Sequence, residues 1–120
     1  MKVGVVGTRD FKPIVLIPEF LDRLKVAPTE IISGGGGDVD AAAKRWALIR
    51  NVFYTEFPAD WSLGRRAGPL RNEQIVDASD IIIAFWVGDS PGTRSSLNLA
   101  RKAGKCAYVV RPDGSRSRYC

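Results

Sequence analysis

The sequence predicts an α/β domain: a three-layer, Rossmann-like, doubly wound sheet of about five parallel strands in the order 3-2-1-4-5. Three observations carry this. Short apolar runs alternate with segments of helical periodicity, the pattern of successive βα units. One run, Ile81 to Trp86, is uniformly apolar, as suits a central parallel strand covered on both faces. Glycine-rich turns follow the first, second and fourth runs, where α/β sheets hold ligands at the switch in strand order.

Each element follows in turn. Val3 to Val6 is a β-branched run closed by Gly7. Ile17, Phe20, Leu21 and Leu24 keep helical spacing, with the helix starting near Pro18 because proline is tolerated in a first turn. Glu30 to Ser33 is the second strand. Val39, Ala42, Ala43 and Trp46 then share one helical face, with Asp38 as candidate cap and Trp46 as a core residue. Val52 to Phe57 reads as an edge strand. Pro58 to Gly68 is loop-like and Pro69 to Ala78 a helix of untidy spacing. Thr93 caps a last helix ending before Gly104, and Cys106 to Val110 closes the sheet. From Arg111 the chain is a polar, basic tail, expected to be mobile.

With 120 residues the chain forms one domain, residues 1–120, with 111–120 as the tail. There is no histidine, which excludes a histidine base and histidine metal ligands. Cys106 and Cys120 are too few for a disulfide framework or a thiolate zinc site. Cys106 reads as a small core residue and Cys120 as exposed and open to oxidation. No metal or cofactor is expected. The longest apolar run, Ile81 to Val87, is too short for a membrane span. Only Lys2 and a short apolar stretch precede Arg9 and Asp10, which argues against a signal peptide. A cytoplasmic protein without membrane contact is expected.

Three turns carry candidate chemistry. In Gly7-Thr8-Arg9-Asp10-Phe11, small residues let backbone N–H groups approach an anion and Arg9 adds a charge. In Ser33-Gly34-Gly35-Gly36-Gly37-Asp38-Val39-Asp40, four glycines cost backbone entropy that flexibility alone explains poorly. They lead into a helix N-terminus, a place for phosphate or ribose. Asp38 either caps that helix or joins the site, and Asp40 can accept a ribose hydroxyl. In Gly88-Asp89-Ser90-Pro91-Gly92-Thr93, Gly92 and Thr93 are again placed to hold an anion, or form an ordinary cap. All three point at one cleft. Arg71 and Asn72 reach toward it, whereas Arg65 and Arg66 read as solvated surface. Trp61 either stacks on a base or packs.

These residues resemble the SLOG superfamily, named for the Smf/DNA-processing protein A and LONELY GUY families, and most of all its small YspA/YpsA-like members from bacteria and phages. The resemblance spans nearly the whole chain. It rests on the first two turns, Pro58-Ala59-Asp60-Trp61, Gly68-Pro69-Leu70-Arg71-Asn72, Ala78-Ser79-Asp80 with its strand, and Gly92-Thr93. It implies a Rossmann-like fold that binds nucleotides or their derivatives. LONELY GUY enzymes cleave nucleoside monophosphates to base and ribose 5-phosphate. Other members sense ADP-ribose derivatives, and DNA-processing protein A binds single-stranded DNA. Arg71 matches the family's functional arginine. The phosphoribohydrolases' Pro-Gly-Gly-x-Gly-Thr stretch and following glutamate are reduced here to Ser90-Pro91-Gly92-Thr93, and no carboxylate occurs between Asp89 and Asp113. An oxocarbenium-like transition state needs a carboxylate, for which Asp38 and Asp40, and after them Asp10, are the candidates beside Arg71.

The sequence therefore favours binding of a nucleotide-derived small molecule, as sensor or sequestering protein, over N-glycoside hydrolysis. The binding residues it selects are Gly7, Thr8, Arg9, Gly34, Gly35, Gly36, Gly37, Asp38, Asp40, Trp61, Arg71, Asn72, Gly92 and Thr93. Single-stranded nucleic acid is the further alternative. Residues 94–120 hold seven basic side chains and one acidic, so the whole +5 lies in this segment. A solvated basic face is the better explanation of that segment. A shallow cleft in so small a domain suits a homodimer or higher assembly that helps enclose the ligand.

Overall fold

The computed structural model describes residues 1–120. Its sheet has six strands: β1 Lys2–Gly7, β2 Glu30–Ser33, β3 Phe53–Glu56, β4 Ile81–Phe85, β5 Ala107–Val110 and β6 Arg116–Tyr119. The order is β3-β2-β1-β4-β5-β6. The first five are parallel, as expected; β6 runs antiparallel to β5 and makes the edge. Four helices cover the faces: α1 Leu16–Asp22, α2 Asp38–Ile49, α3 Ala67–Ala78 and α4 Pro91–Lys102. No helix is long and apolar enough to cross a membrane.

The central strands β1 and β4 pair from Val3↔Ile81 to Gly7↔Phe85. Their side chains alternate between two cores. On the α1–α2 face Val3, Val5, Ile83 and Phe85 pack with Phe11, Phe20 and Trp46. On the α3–α4 face Val6, Ile82 and Ala84 pack with Ile75, Val76 and Ala100. Gly7 is required where α2 crosses the end of β1, because a Cβ there would lie 2.7 Å from the Val39 side chain.

Four sequence expectations need correction. Ser90, not Thr93, caps α4: its Oγ accepts the Thr93 N–H at 3.4 Å, and Pro91 suits the first helical position. Thr93 is instead buried on the first turn. Asp38 is the first residue of α2 rather than its cap, and makes no side-chain capping bond. The loop before α3 contains a short 3₁₀ segment, Trp61–Arg66, started by Asp60, whose carboxylate accepts the Ser62 N–H at 3.1 Å. The tail is not a loose extension. Arg111 to Ser115 turn back through Gly114 (φ 84°), β6 pairs along β5, and Cys106 and Cys120 form a disulfide. Neither cysteine is free.

Candidate functional site

The turns after β1, β2 and β4 meet the start of α3 around a cleft of about 400 Å³. It opens over the α3–α4 face, where Val6 and Ile75 form part of its floor. A second lobe of about 270 Å³ adjoins it toward Thr8, Arg9, Gly36 and Gly37. Gly7, Asp40, Arg71, Ser90 and Gly92 line both lobes.

Arg71 projects from the first half of α3. Its Nη1 donates to the Gly34 carbonyl at 3.2 Å and its Nε to Asn72 Oδ1 at 3.2 Å. Asn72 is itself buried and donates to the Gly92 carbonyl at 3.4 Å. The guanidinium is thus tied to β2's turn and, through Asn72, to α4. Gly34 has to be glycine in this packing, since a Cβ would strike the Arg71 guanidinium. All these acceptors are neutral, so Arg71 keeps its full charge for the cleft.

Asp40 sits in the first turn of α2, and its Oδ2 accepts the Gly36 N–H at 2.7 Å. Burial raises its carboxyl above the ordinary 3.8, opposed by the Gly36 N–H and the Arg71 charge and reinforced by Glu56. Behind the glycine turn, Tyr54 shares a 2.5 Å hydrogen bond with buried Ser33 and donates to Glu56 at 3.0 Å. Burial, with Glu56 alongside, pushes the Tyr54 phenol up to about 12. Gly35 adopts φ 72° over Glu56, leaving no room for a side chain.

At α4, Ser90 Oγ and Thr93 Oγ1 are 2.8 Å apart, and Ser96 donates to the Gly92 carbonyl at 3.3 Å. On the opposite wall, Thr8 Oγ1 accepts the Val87 N–H at 3.2 Å, joining the turns after β1 and β4. Trp61 stands at the mouth, 69% exposed.

The chain makes two ion pairs, Arg50–Asp22 and Arg94–Asp89, both on the surface. Arg71 and Asp40 belong to neither.

Of the residues selected from sequence, the main cleft gathers Gly7, Gly34, Asp40, Trp61, Arg71, Asn72, Gly92 and Thr93. Thr8, Arg9, Gly36 and Gly37 line the second lobe. Two stand apart. Asp38 lines a separate hollow between α1 and α2 with Ile14 and Pro18, and Gly35 faces Glu56. Sequence reasoning missed Ser90, Ser95, Ser96 and Pro69 on the cleft wall, and Tyr54 and Glu56 behind it. Glu56 had a signal: it lies one residue before the end of the strand expected beside β2. Tyr54 had none.

These features define a Rossmann-like α/β domain with a cleft at the topological switch between β1 and β4. Two solved structures share the fold. One is DNA processing protein A from Helicobacter pylori, described for its single-stranded DNA binding mode; the TM-score is 0.66 at 24% identity, over 92% of this chain and 65% of that one. The other, TM1055, gives a TM-score of 0.62 at 16% identity, over 87% of this chain and 70% of that one. The first agrees with the SLOG-type fold that the sequence resembles. No protein-family model matches the chain. It is 35% identical over 113 residues to the Gene 61 protein of Mycobacterium phage D29, covering 86% of this chain and 90% of that protein. The chain belongs to the family of that phage protein.

Proposed function

We propose that this protein binds a nucleotide-derived small molecule in the cleft, as a sensor or sequestering protein and as a small YspA-like member of the SLOG superfamily. The observation that carries the reading is the pair Arg71 and Asp40: opposite charges line one cleft and form no ion pair with each other or with any other charged side chain. Withdrawing a charge from water without a partner is costly, so such groups mark a site that a ligand completes. Arg71 suits a phosphoryl group. The cleft volume falls within the roughly 300–1,000 Å³ of small-molecule sites. Trp61 offers an exposed ring to a base.

Calorimetry with AMP, ADP-ribose, cyclic ADP-ribose and NAD tests this. At least one should bind the wild type and fail to bind Arg71→Ala; binding by none of them to folded protein overturns the reading. Mass spectrometry of small molecules released on heat denaturation would name a retained ligand.

A second reading, single-stranded DNA binding, is favoured by the fold shared with DNA processing protein A and by the basic segment 94–120. Such binding would weaken steeply with salt; its absence at low salt removes this reading.

A further inference from the structure

We infer that Asp40 makes the cleft selective for a sugar phosphate with free vicinal hydroxyls, a ribonucleotide, and against a deoxyribonucleotide strand. This rests on the nucleotide reading above.

The two charges, which form no ion pair, restrict what the cleft can accept. The position a Cβ would take on Gly36 lies 3.8 Å from Arg71 Nη1 and 3.8 Å from Asp40 Oδ2. One ligand atom at that point touches both groups, which are nevertheless too far apart to form an ion pair. A guanidinium only donates and an ionised carboxylate only accepts. A phosphate filling the whole space would press a like charge against Asp40, with Glu56 behind it. A neutral apolar group would leave both charges desolvated. The ligand that fits carries an anionic group for Arg71 and hydroxyl donors for Asp40 immediately beside it.

Asp40 has capacity for two such donors. Its Oδ2 takes one bond from Gly36 and the Gly34 N–H also bears on the carboxylate, which leaves two of its roughly four lone-pair positions free. Two adjacent sugar hydroxyls fill the remaining lone pairs as one bidentate unit. Within a DNA strand the 3′ oxygen is esterified and the 2′ hydroxyl is missing, so no sugar hydroxyl donates to the carboxylate and the neighbouring phosphate meets it as a like charge. The cleft therefore separates ribonucleotide from DNA through one side chain. Any binding of DNA by this chain takes place elsewhere on its surface.

Only the ionised carboxylate accepts both hydroxyls, which adds a pH signature. Burial already lifts Asp40 above the usual range. The charged and titratable groups facing it are Arg71 from α3 and Glu56 and Tyr54 from β3, with Arg9 lining the same lobe. Affinity for a diol ligand should fall as pH drops toward the raised Asp40 value, while that for a ligand lacking both hydroxyls should not follow this titration.

The experiment is calorimetry of wild-type protein with AMP, 2′-deoxy-AMP and 2′,3′-dideoxy-AMP, with an oligo(dA) strand as competitor. Each lost hydroxyl should weaken binding by about 10- to 100-fold, the loss of a hydrogen bond to a charged group, and oligo(dA) should not displace AMP. In Asp40→Ala the three ligands should bind within about threefold of one another, since no acceptor distinguishes them. Equal binding of all three by the wild type, or displacement of AMP by oligo(dA), overturns the inference and leaves nucleotide binding intact. No binding by any of the three in protein that unfolds cooperatively overturns the ribonucleotide assignment, and the calorimetry with ADP-ribose and NAD then decides whether the reading beneath it stands. The wild-type ladder decides the matter even if Asp40→Ala fails to fold.

Discussion

On the α1–α2 face the sheet is sealed by a core of 14 buried apolar residues, with Phe11 and Phe20 both edge-on to Phe85, and the buried polar side chain on that side is Ser33 at the end of β2, bonded to Tyr54. The α3–α4 face has a smaller apolar core of 9 residues, and its helices and their ends bury Asn72, Ser79, Thr93 and Ser96 as well. The difference has a purpose that the cleft makes plain. Buried polar groups are specific only where each finds its partner. Here Asn72 and Ser96 both donate to the Gly92 carbonyl, and Asn72 also accepts from Arg71. One face is therefore a stability core. The other gives up apolar volume to hold a charged side chain and a helix end at the cleft.

The strongest way to break this comparison is Phe85→Ala. Phe85 is fully buried at the centre of the aromatic cluster. Its loss should cost about 3–5 kcal/mol in urea unfolding. A cost below about 1 kcal/mol would mean that this face collapses around the hole and is no tighter than its opposite.

Gly34→Ala probes the other face with a smaller and different effect. The new methyl displaces the far end of Arg71, a flexible side chain, and breaks its bond to the Gly34 carbonyl. Unfolding should shift by no more than about 1 kcal/mol, while AMP affinity in calorimetry drops by about tenfold or more. An unchanged affinity would show that the guanidinium is not held by this contact. A large loss of stability would show that the cleft wall is core after all.

The same contrast explains what was legible in the sequence. The α1–α2 face announces itself through aromatic and β-branched residues at regular spacing, so Ile17, Phe20, Leu21 and Trp46 are readable as core. The three ligand-side turns are readable from their glycines, and the strand order follows from the alternation of strands and helices. Phe11 is written inside one of those turns, yet it is buried against Phe85, because its burial depends on β4, more than seventy residues away. The α4 cap is misread by three residues because Ser90 and Thr93 both suit the role. β6 had a readable turn in Arg111-Pro112-Asp113-Gly114, a proline and glycine arrangement that favours chain reversal. Its strand is masked by exposed arginines, the kind of side chain that protects a sheet edge. The pairing of Cys106 with Cys120 follows only once that strand is in place. No local signal shows that Arg71 and Asp40 share a cleft without pairing, since α2 and α3 set their separation.

Asp40→Asn should have the smallest effect on stability, and one of opposite sign. Burial raises the Asp40 carboxyl in the folded chain above its unfolded value of 3.8. The folded protein therefore binds a proton more tightly than the unfolded chain, and the cost of keeping Asp40 ionised grows as pH rises from 3.8 through the raised value. Above that value the full cost is present; below 3.8 the carboxyl is protonated in both states and the cost vanishes. Asparagine keeps an oxygen for the Gly36 N–H and carries no charge, so the variant should melt higher than wild type at pH 7 and lose that advantage by pH 3. Thermal unfolding followed by circular dichroism across this range measures it. A variant that melts lower at pH 7 would mean that the Arg71 charge and the Gly36 bond outweigh burial, and that Asp40 is a structural carboxylate. A higher melting point together with a lost preference for AMP over its dideoxy analogue identifies a charge retained for the ligand at the expense of the fold.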